Sequence, residues 1–284
     1  MHIKKNSICE VLGDAFRLFR QNDPLRMAAA TSFFVSFALP AILFILIVVF
    51  GAFGDPRTVR HDIFKQLSVG LDKNIALQVR DIVRNLHKLP LSTGMRIGGF
   101  VFLLFVATTL FEIIKNSINQ LWKIRLKHEQ GIAFVLLNRI RAVGIILMAG
   151  VLFSIVLLED AGGWLLPLQV NTFFYRFAMM LAVAIWFFVI LKWLSYGRPH
   201  WKIAWIGALF TGLLFTAGQT LLHLLLNYDT MEVVYGTSTA LALLLLFVFY
   251  CSFIFYFGAC FTWSLGQHWG HPIQPSRQAE IVES

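Results

Sequence analysis

A polar stripe within an apolar helical segment is the part of this sequence best suited to chemistry. Segment 97–121 contains Thr108, Glu112, Lys115, Asn116 and Asn119, whose spacing places them on one face of a helix. A carboxylate at membrane depth costs about 2.5–3.5 kcal/mol, so it normally faces protein or water. Glu112 and Lys115 are spaced to form an ion pair. Two interpretations remain open: a vestibule that contacts substrate, or the solvated face of a helix emerging into water.

A second stripe runs along segment 201–226. Its members are spaced by four, four, three and four residues: Ala208, Gly212, Thr216, Gln219 and His223. Small residues let helices approach closely, and Gln and His can form hydrogen bonds between helices. A histidine can also exchange a proton near neutral pH. The stripe is therefore either a packing contact or the polar lining of a path.

Enzyme motifs are missing from the sequence. It has no GxSxG, HExxH or P-loop lysine motif, so we expect no catalytic residues, no cofactor and no enzymatic activity. The three cysteines have no CxxC spacing, and His268 and His271 have no Cys or carboxylate beside them in sequence. We therefore predict neither a disulfide framework nor a metal site.

The composition is that of a membrane protein. Hydrophobic residues make up 58% and charged residues 14% of the 284 residues, whereas soluble domains have about 45–50% and about 25%. The net charge of +9 is spread over particular loops, which favours contact with anionic headgroups over nucleic acid. The predicted partners are membrane lipids and a small-molecule or lipid substrate, and the oligomeric state is left open.

Apolar segments of about 20 residues are long enough to cross a bilayer. The predicted fold is all-α, with a membrane domain over residues 28–266 that contains six transmembrane helices. Residues 1–27 are predicted to form an amphipathic helix on the cytoplasmic leaflet, 54–96 a helical extracytoplasmic loop, and 267–284 a cytoplasmic tail. The six predicted spans are 28–53, 97–121, 142–158, 173–194, 201–226 and 239–263.

The distribution of Lys and Arg predicts the orientation. Basic residues concentrate in the N-terminal segment and in the second and fourth connections, whereas the third contains only Arg176 and the fifth none. Because cytoplasmic loops retain Lys and Arg, both termini are predicted to be cytoplasmic, although the long first connection is also basic. Arg26, Lys115 and Arg125 are candidates for contact with anionic headgroups at the cytoplasmic mouth.

Several short motifs, taken in order, resemble the YihY/BrkB family of bacterial inner-membrane proteins. They begin with Arg26-Met-Ala-Ala-Ala-Thr-Ser-Phe-Phe, Leu39-Pro40 and Asn119-Gln-Leu-Trp122, and continue with Gly207-Ala208, Ala217-Gly218, Tyr235-Gly236, Tyr250 and Gly258-Ala259. This chain differs in having Cys260 where the family commonly has Glu.

The resemblance implies a six-helix protein of the bacterial cytoplasmic membrane, with a transport or envelope-lipid role. The family has also carried a ribonuclease label, which this sequence does not support, because a nuclease needs clustered metal-binding carboxylates or acid–base residues.

Two functions are compatible with these features. In the first, a transporter or flippase-like protein moves an amphiphilic or small polar solute along a path shared by both stripes. Its candidate path residues are Glu112, Asn116, Asn119, Gln219 and His223. In the alternative, a non-transporting envelope scaffold or partner-binding protein uses both stripes only to pack its helices.

Overall fold

The computed structural model describes residues 8–51, 93–127, 136–137, 139–145, 172–225 and 239–282, together with positions 61, 63, 64, 77, 80 and 148. Most of the predicted loop 54–96 and most of the predicted span 142–158 lie outside these residues.

The described chain is mostly helical, as predicted. Residues 139–145 are also helical, and the helix that ends at Val189 continues into a π-helical turn at Ile190–Leu194. The longer helices are α1 (Ile8–Gln21), α2 (Pro24–Gly51), α3 (Thr93–Leu121), α4 (Thr172–Val189), α5 (Trp201–Leu225) and α6 (Thr239–His268).

Among the described residues, three helices are long and apolar enough to cross a membrane: α2 over Pro24–Ile47, α5 over Trp201–Gly218 and α6 over Leu241–His268. Helices suit this environment because they satisfy their backbone hydrogen bonds internally. Large apolar side chains remain exposed on α2 and α3, among them Phe33, Phe37 and Phe102, as expected for surfaces that face lipid. The six-span count remains a prediction.

Helix α6 lies at the centre of the bundle. It packs against α1, α2 and α5, while α4 packs on α5 and α3 packs on α2. Its buried residues include Tyr256, Ala259 and Cys260, all fully enclosed.

Reciprocal Gly–Thr contacts hold α5 against α6. A Cβ at Gly207 would overlap the hydroxyl of Thr262, and a Cβ at Gly258 would overlap that of Thr211 and lie 2.9 Å from its Cβ. Each threonine hydroxyl donates to the glycine carbonyl four residues earlier on its own helix, at 2.7 and 2.8 Å. The two helices therefore run antiparallel and approach closely because both glycines lack side chains.

Helix α1 packs its apolar face on α6. Val11, Ala15, Leu18 and Phe19 are buried, and the Phe19 ring lies 4.8 Å from that of Phe253 on α6. Other apolar residues of the amphipathic pattern, including Ile8 and Phe16, remain exposed. The predicted amphipathic helix is present, but part of its apolar face contacts protein.

Short strands in the described chain join the loops at one end of the bundle: β1 (Ile124–Leu126), β2 (Gly197–Arg198), β3 (Gln274–Pro275) and β4 (Ala279–Ile281). β1 pairs with β4, and β2 pairs with β3, both antiparallel. The C-terminal segment thus bridges the loops that follow α3 and α4, with Ile273 and Ala279 buried. We call this the sheet end of the bundle; these strands depart from the purely helical prediction.

Candidate functional site

A hydrogen-bonded layer near the sheet end fixes the position of α3 against α2 and α6. The hydroxyls of Thr31 and Tyr256 lie 2.6 Å apart, and Ser117 also hydrogen-bonds Tyr256. Closer to the sheet end, Trp122 Nε1 donates to the carbonyl of Ala259 at 2.9 Å. Glu112 precedes Ser117 by five residues on α3, so it lies about 7.5 Å further from the sheet end. Because Thr31 already lies within the apolar stretch of α2, Glu112 is level with that stretch.

Glu112 and Lys115 form the predicted ion pair, with Lys115 Nζ 2.5 Å from Glu112 Oε2. Their surroundings differ, because the Lys115 side chain is only 5% exposed whereas that of Glu112 is 31% exposed. The ammonium of Lys115 also lies 5.0 Å from the centre of the Tyr196 ring, a cation–π distance. The carboxylate therefore connects a buried cation with the outer surface of α3.

The loop after α4 covers the inner side of this pair. Asn119 is buried, and its Oδ1 accepts a hydrogen bond from the backbone N–H of Tyr196 at 2.9 Å. Gly197 lies directly against the Trp122 ring, where any Cβ would overlap the ring carbons. The β2–β3 pair then ties this loop to the C-terminal segment. Asn119 and Lys115 are thus enclosed by protein. If this part of α3 were simply the face of a helix emerging into water, both side chains would be solvated.

The outer surface of α3 carries a continuous line of polar side chains. Thr109 and Glu112 are half-buried, and Asn116 and Gln120 are exposed; their spacing places them along one side of the helix. We call Thr109, Glu112, Asn116 and Gln120 the outer polar track. It runs from the middle of α3, beside exposed Phe102 and Phe105, to the sheet end.

Arg139 extends this polar region, although its place in the basic second connection did not suggest a site residue. Its Nη1 donates to Thr108 Oγ1 at 2.7 Å, and its guanidinium lies 4.4 Å from the Phe105 ring centre. Arg139 is therefore beside the middle of α3. Charged side chains at such depth are costly and commonly functional. The sequence alone gives little sign of this position, because Arg139 is brought beside the middle of α3 only when its own helical segment packs against α3.

The described part of the α5 stripe is a packing contact. Ala208 is buried, and a Cβ at Gly212 would lie 3.2 Å from the Cβ of Ala184 on α4. The Thr216 hydroxyl donates to the carbonyl of Gly212 at 2.9 Å. The side chains of Gln219 and His223 lie outside the described part of the structure, so their role in a path stays a prediction.

The three headgroup candidates have different environments. Arg26 is exposed, 3.7 Å from the equally exposed Asp23, and Arg125 is exposed on β1 opposite Glu280. Lys115 does not have the exposed position expected of a headgroup contact, because Glu112 and Tyr196 enclose it.

The fold places a carboxylate beside one tail histidine, which its sequence neighbours did not suggest. His268 Nε2 lies 2.8 Å from Asp14 Oδ2 of α1. Over the part of the chain that the structure describes, no cluster of three or more His, Cys, Asp or Glu could hold a metal ion.

A helical bundle whose described residues include three membrane-length apolar helices is the architecture of an integral membrane protein. Residues 15–281 match the family described as Virulence factor BrkB. The chain belongs to this family, which confirms the resemblance seen in the sequence.

Similar proteins carry the same general description. The chain is 23% identical to a UPF0761 membrane protein of Legionella pneumophila, over 88% of this chain and 60% of the relative. It is 24% identical to one of Psychromonas ingrahamii, over 80% of this chain and 76% of the relative, and 24% identical to one of Aliivibrio fischeri, over 78% and 70%. The chain thus spans less than two thirds of the Legionella protein. No solved structure matches it.

Proposed function

We propose that this protein moves amphiphilic molecules, with lipids as the leading substrate class, along the outer polar track of α3. The observation that carries the proposal is the continuity of this track from the middle of α3 to the sheet end. A polar headgroup that enters a bilayer must replace its contacts with water. The track offers hydroxyl, carboxylate and amide groups at successive turns, while exposed Phe102 and Phe105 suit the acyl chains.

The charges near the track favour substrates with a phosphate or carboxylate. Arg139 lies at the end of the track that is farthest from the sheet end, and Lys115 lies beside the middle of the track. Glu112 neutralises Lys115, so a headgroup anion that displaced the carboxylate would keep the lysine paired. We propose that the Glu112 carboxylate moves aside during transport while the headgroup anion takes its place beside Lys115. We propose neither an enzymatic step nor a cofactor for the chain.

We also propose that the sheet end faces the cytoplasm of a bacterium and that the chain lies in the inner membrane. Exposed basic residues support this orientation, because Arg125, Lys127, Arg198, Lys202 and Arg277 all lie at the sheet end. Positive charge is retained on the cytoplasmic side of membrane proteins.

An envelope scaffold is the second candidate, and the α5–α6 packing favours it. Gly207, Gly218, Gly258 and Trp122 belong to the motifs of the family resemblance, and all four form helix or loop contacts. A protein that only assembles with partners needs these contacts and has no need for the track.

Lipid transfer in proteoliposomes separates the two candidates. We expect the reconstituted protein to move a fluorescent phospholipid between leaflets, so that a quencher added outside removes fluorescence from both leaflets. Asn116→Leu combined with Gln120→Leu should slow transfer at least about tenfold, because an apolar gap of two turns restores a barrier worth more than about 1.4 kcal/mol. Phe37→Leu on α2 is the control, because this exposed ring is no part of the track, and it should keep the original rate.

Two results would reject lipid movement along the track. One is a transfer rate equal to that of protein-free vesicles, which would favour the scaffold. The other is transfer that the Asn116→Leu, Gln120→Leu variant leaves unchanged, which would move the path elsewhere in the protein.

A further inference from the structure

We propose that the cytoplasmic ends of α4 and α5 form a binding site for an anionic phospholipid, separate from the outer polar track. The site is a surface that combines three tryptophans with three cations, and we call it the basic tryptophan patch. Its residues are Lys192, Trp193, Arg198, Trp201, Lys202 and Trp205. This inference does not depend on transport, since a bound lipid here would serve a scaffold equally well.

The tryptophans form a fixed aromatic surface that stays partly open. The Phe188 ring stacks on Trp205 with centroids 4.4 Å apart and lies 5.4 Å from Trp201. Trp193 meets Trp201 edge-on at 6.4 Å. Yet Trp193 is 41% and Trp201 is 53% exposed, although burial would be the favourable state for such large rings in water. Tryptophan is enriched where membranes meet water, because its ring is apolar and its N–H is polar.

The cations of the patch are held close together without a neutralising carboxylate among the described residues. Lys192 Nζ donates to the Pro199 carbonyl at 2.5 Å and lies 5.0 Å from the Trp201 ring centre, so its position is fixed. Arg198 is exposed and directly precedes Pro199, whose carbonyl holds Lys192, and exposed Lys202 follows Trp201 directly. Within the described chain, no carboxylate forms an ion pair with any of these three cations. A bound anion would relieve their mutual repulsion.

The location of the patch identifies the anion as a lipid phosphate. Trp201 is both the first residue of α5 and the first of its membrane-length apolar stretch, so the patch lies where hydrocarbon gives way to headgroups. A lipid is the one anion class that would place its phosphate on Arg198 and Lys202 and its glycerol and acyl chains on Trp201 and Trp205. A soluble phosphate would leave the tryptophans uncovered.

Lipid retention by the purified full-length protein tests this site. The chain is extracted in mild detergent, exposed to equal amounts of phosphatidylglycerol and phosphatidylcholine, washed, and analysed by native mass spectrometry. We expect phosphatidylglycerol to be retained preferentially. Each cation near a membrane surface contributes about fivefold to the binding of anionic lipid. Arg198→Gln combined with Lys202→Gln should therefore reduce phosphatidylglycerol retention at least about tenfold without changing that of phosphatidylcholine.

Lys127→Gln combined with Arg277→Gln is the matched control, because it removes two exposed cations from the same end of the protein. Retention should stay within about twofold of wild type in this control. An equal loss of phosphatidylglycerol retention in both double variants would show that only general surface charge matters, and it would overturn the site. So would equal retention of the two lipids by wild type. Displacement of the lipid by inorganic phosphate would show a soluble-anion site and would also overturn it.

Discussion

Gly258→Val is expected to remove most of the folded protein, and a second substitution, Thr211→Gly, is expected to restore it. A Cβ at residue 258 would overlap the Thr211 hydroxyl and lie 2.9 Å from its Cβ. Because the Thr211 Cβ itself takes part in this overlap, no change of the Thr211 rotamer can relieve it. Overpacking commonly costs about 1–3 kcal/mol, and here the helices must also separate, which breaks the matching contact of Gly207 with Thr262.

Folded protein is measured as the monodisperse peak in size-exclusion chromatography of a fluorescent fusion. Thr211→Gly provides the space that a valine side chain at position 258 needs, so the double variant should recover most of the peak despite the low helix propensity of glycine. Gly98→Ala on α3 is the control, because a Cβ there meets nothing within 4 Å; it should behave like wild type. Normal yield of Gly258→Val, or failure of Thr211→Gly to rescue it, would contradict the proposed packing.

The second large effect concerns the ion pair of α3, whose two members should respond unequally to substitution. Glu112→Gln leaves the charge of Lys115 without a counter-ion, and that side chain is only 5% exposed. Breaking a buried pair in this way costs about 3–5 kcal/mol. Lys115→Met leaves the carboxylate unpaired, but it is 31% exposed and lies on the outer polar track, where the water of the proposed path can solvate it. We therefore expect a smaller loss, of about 1 kcal/mol.

The combined variant Glu112→Gln, Lys115→Met should be within about 1 kcal/mol of wild type, because no unpaired charge remains. Unfolding in mixed detergent–denaturant micelles measures the three stabilities. Equal losses in the two single variants would show that the carboxylate is as enclosed as the ammonium. A double variant as unstable as Glu112→Gln would show that the unpaired charge of Lys115 is not the cause of that variant's instability.

The sequence was sufficient to predict the longer helices that the structure describes and the ion pair of α3. Long uncharged runs leave few alternatives to a membrane helix, which is why α2, α5 and α6 lie close to their predicted bounds. The pairing of Glu112 with Lys115 also followed from spacing alone. These features are local, so periodicity along the chain was enough to identify them.

Features that depend on contacts between distant segments were not predictable in this way. The depth of Arg139 is set by Thr108 and Phe105, and the burial of Lys115 by Tyr196. The strands of the sheet end have two or three residues each. They are too short for an alternation of apolar and polar residues to be recognised in the sequence. Likewise, the sequence allowed Gly212 to line a path or to pack against another helix. Its contact with Ala184 shows that it packs against α4.

Chemical labelling of a cysteine at position 116 tests the outer polar track most directly. Cys9 is exposed, so the experiment uses a Cys9→Ser background, in which Asn116→Cys and the control Phe102→Cys are placed in sealed proteoliposomes. Thiolates react in water and hardly at all in hydrocarbon. A charged maleimide should therefore label Asn116→Cys at least about tenfold faster than Phe102→Cys, since water must line the track for a headgroup to move along it. If both cysteines are equally protected, α3 presents only a lipid-covered surface and the proposed path does not exist.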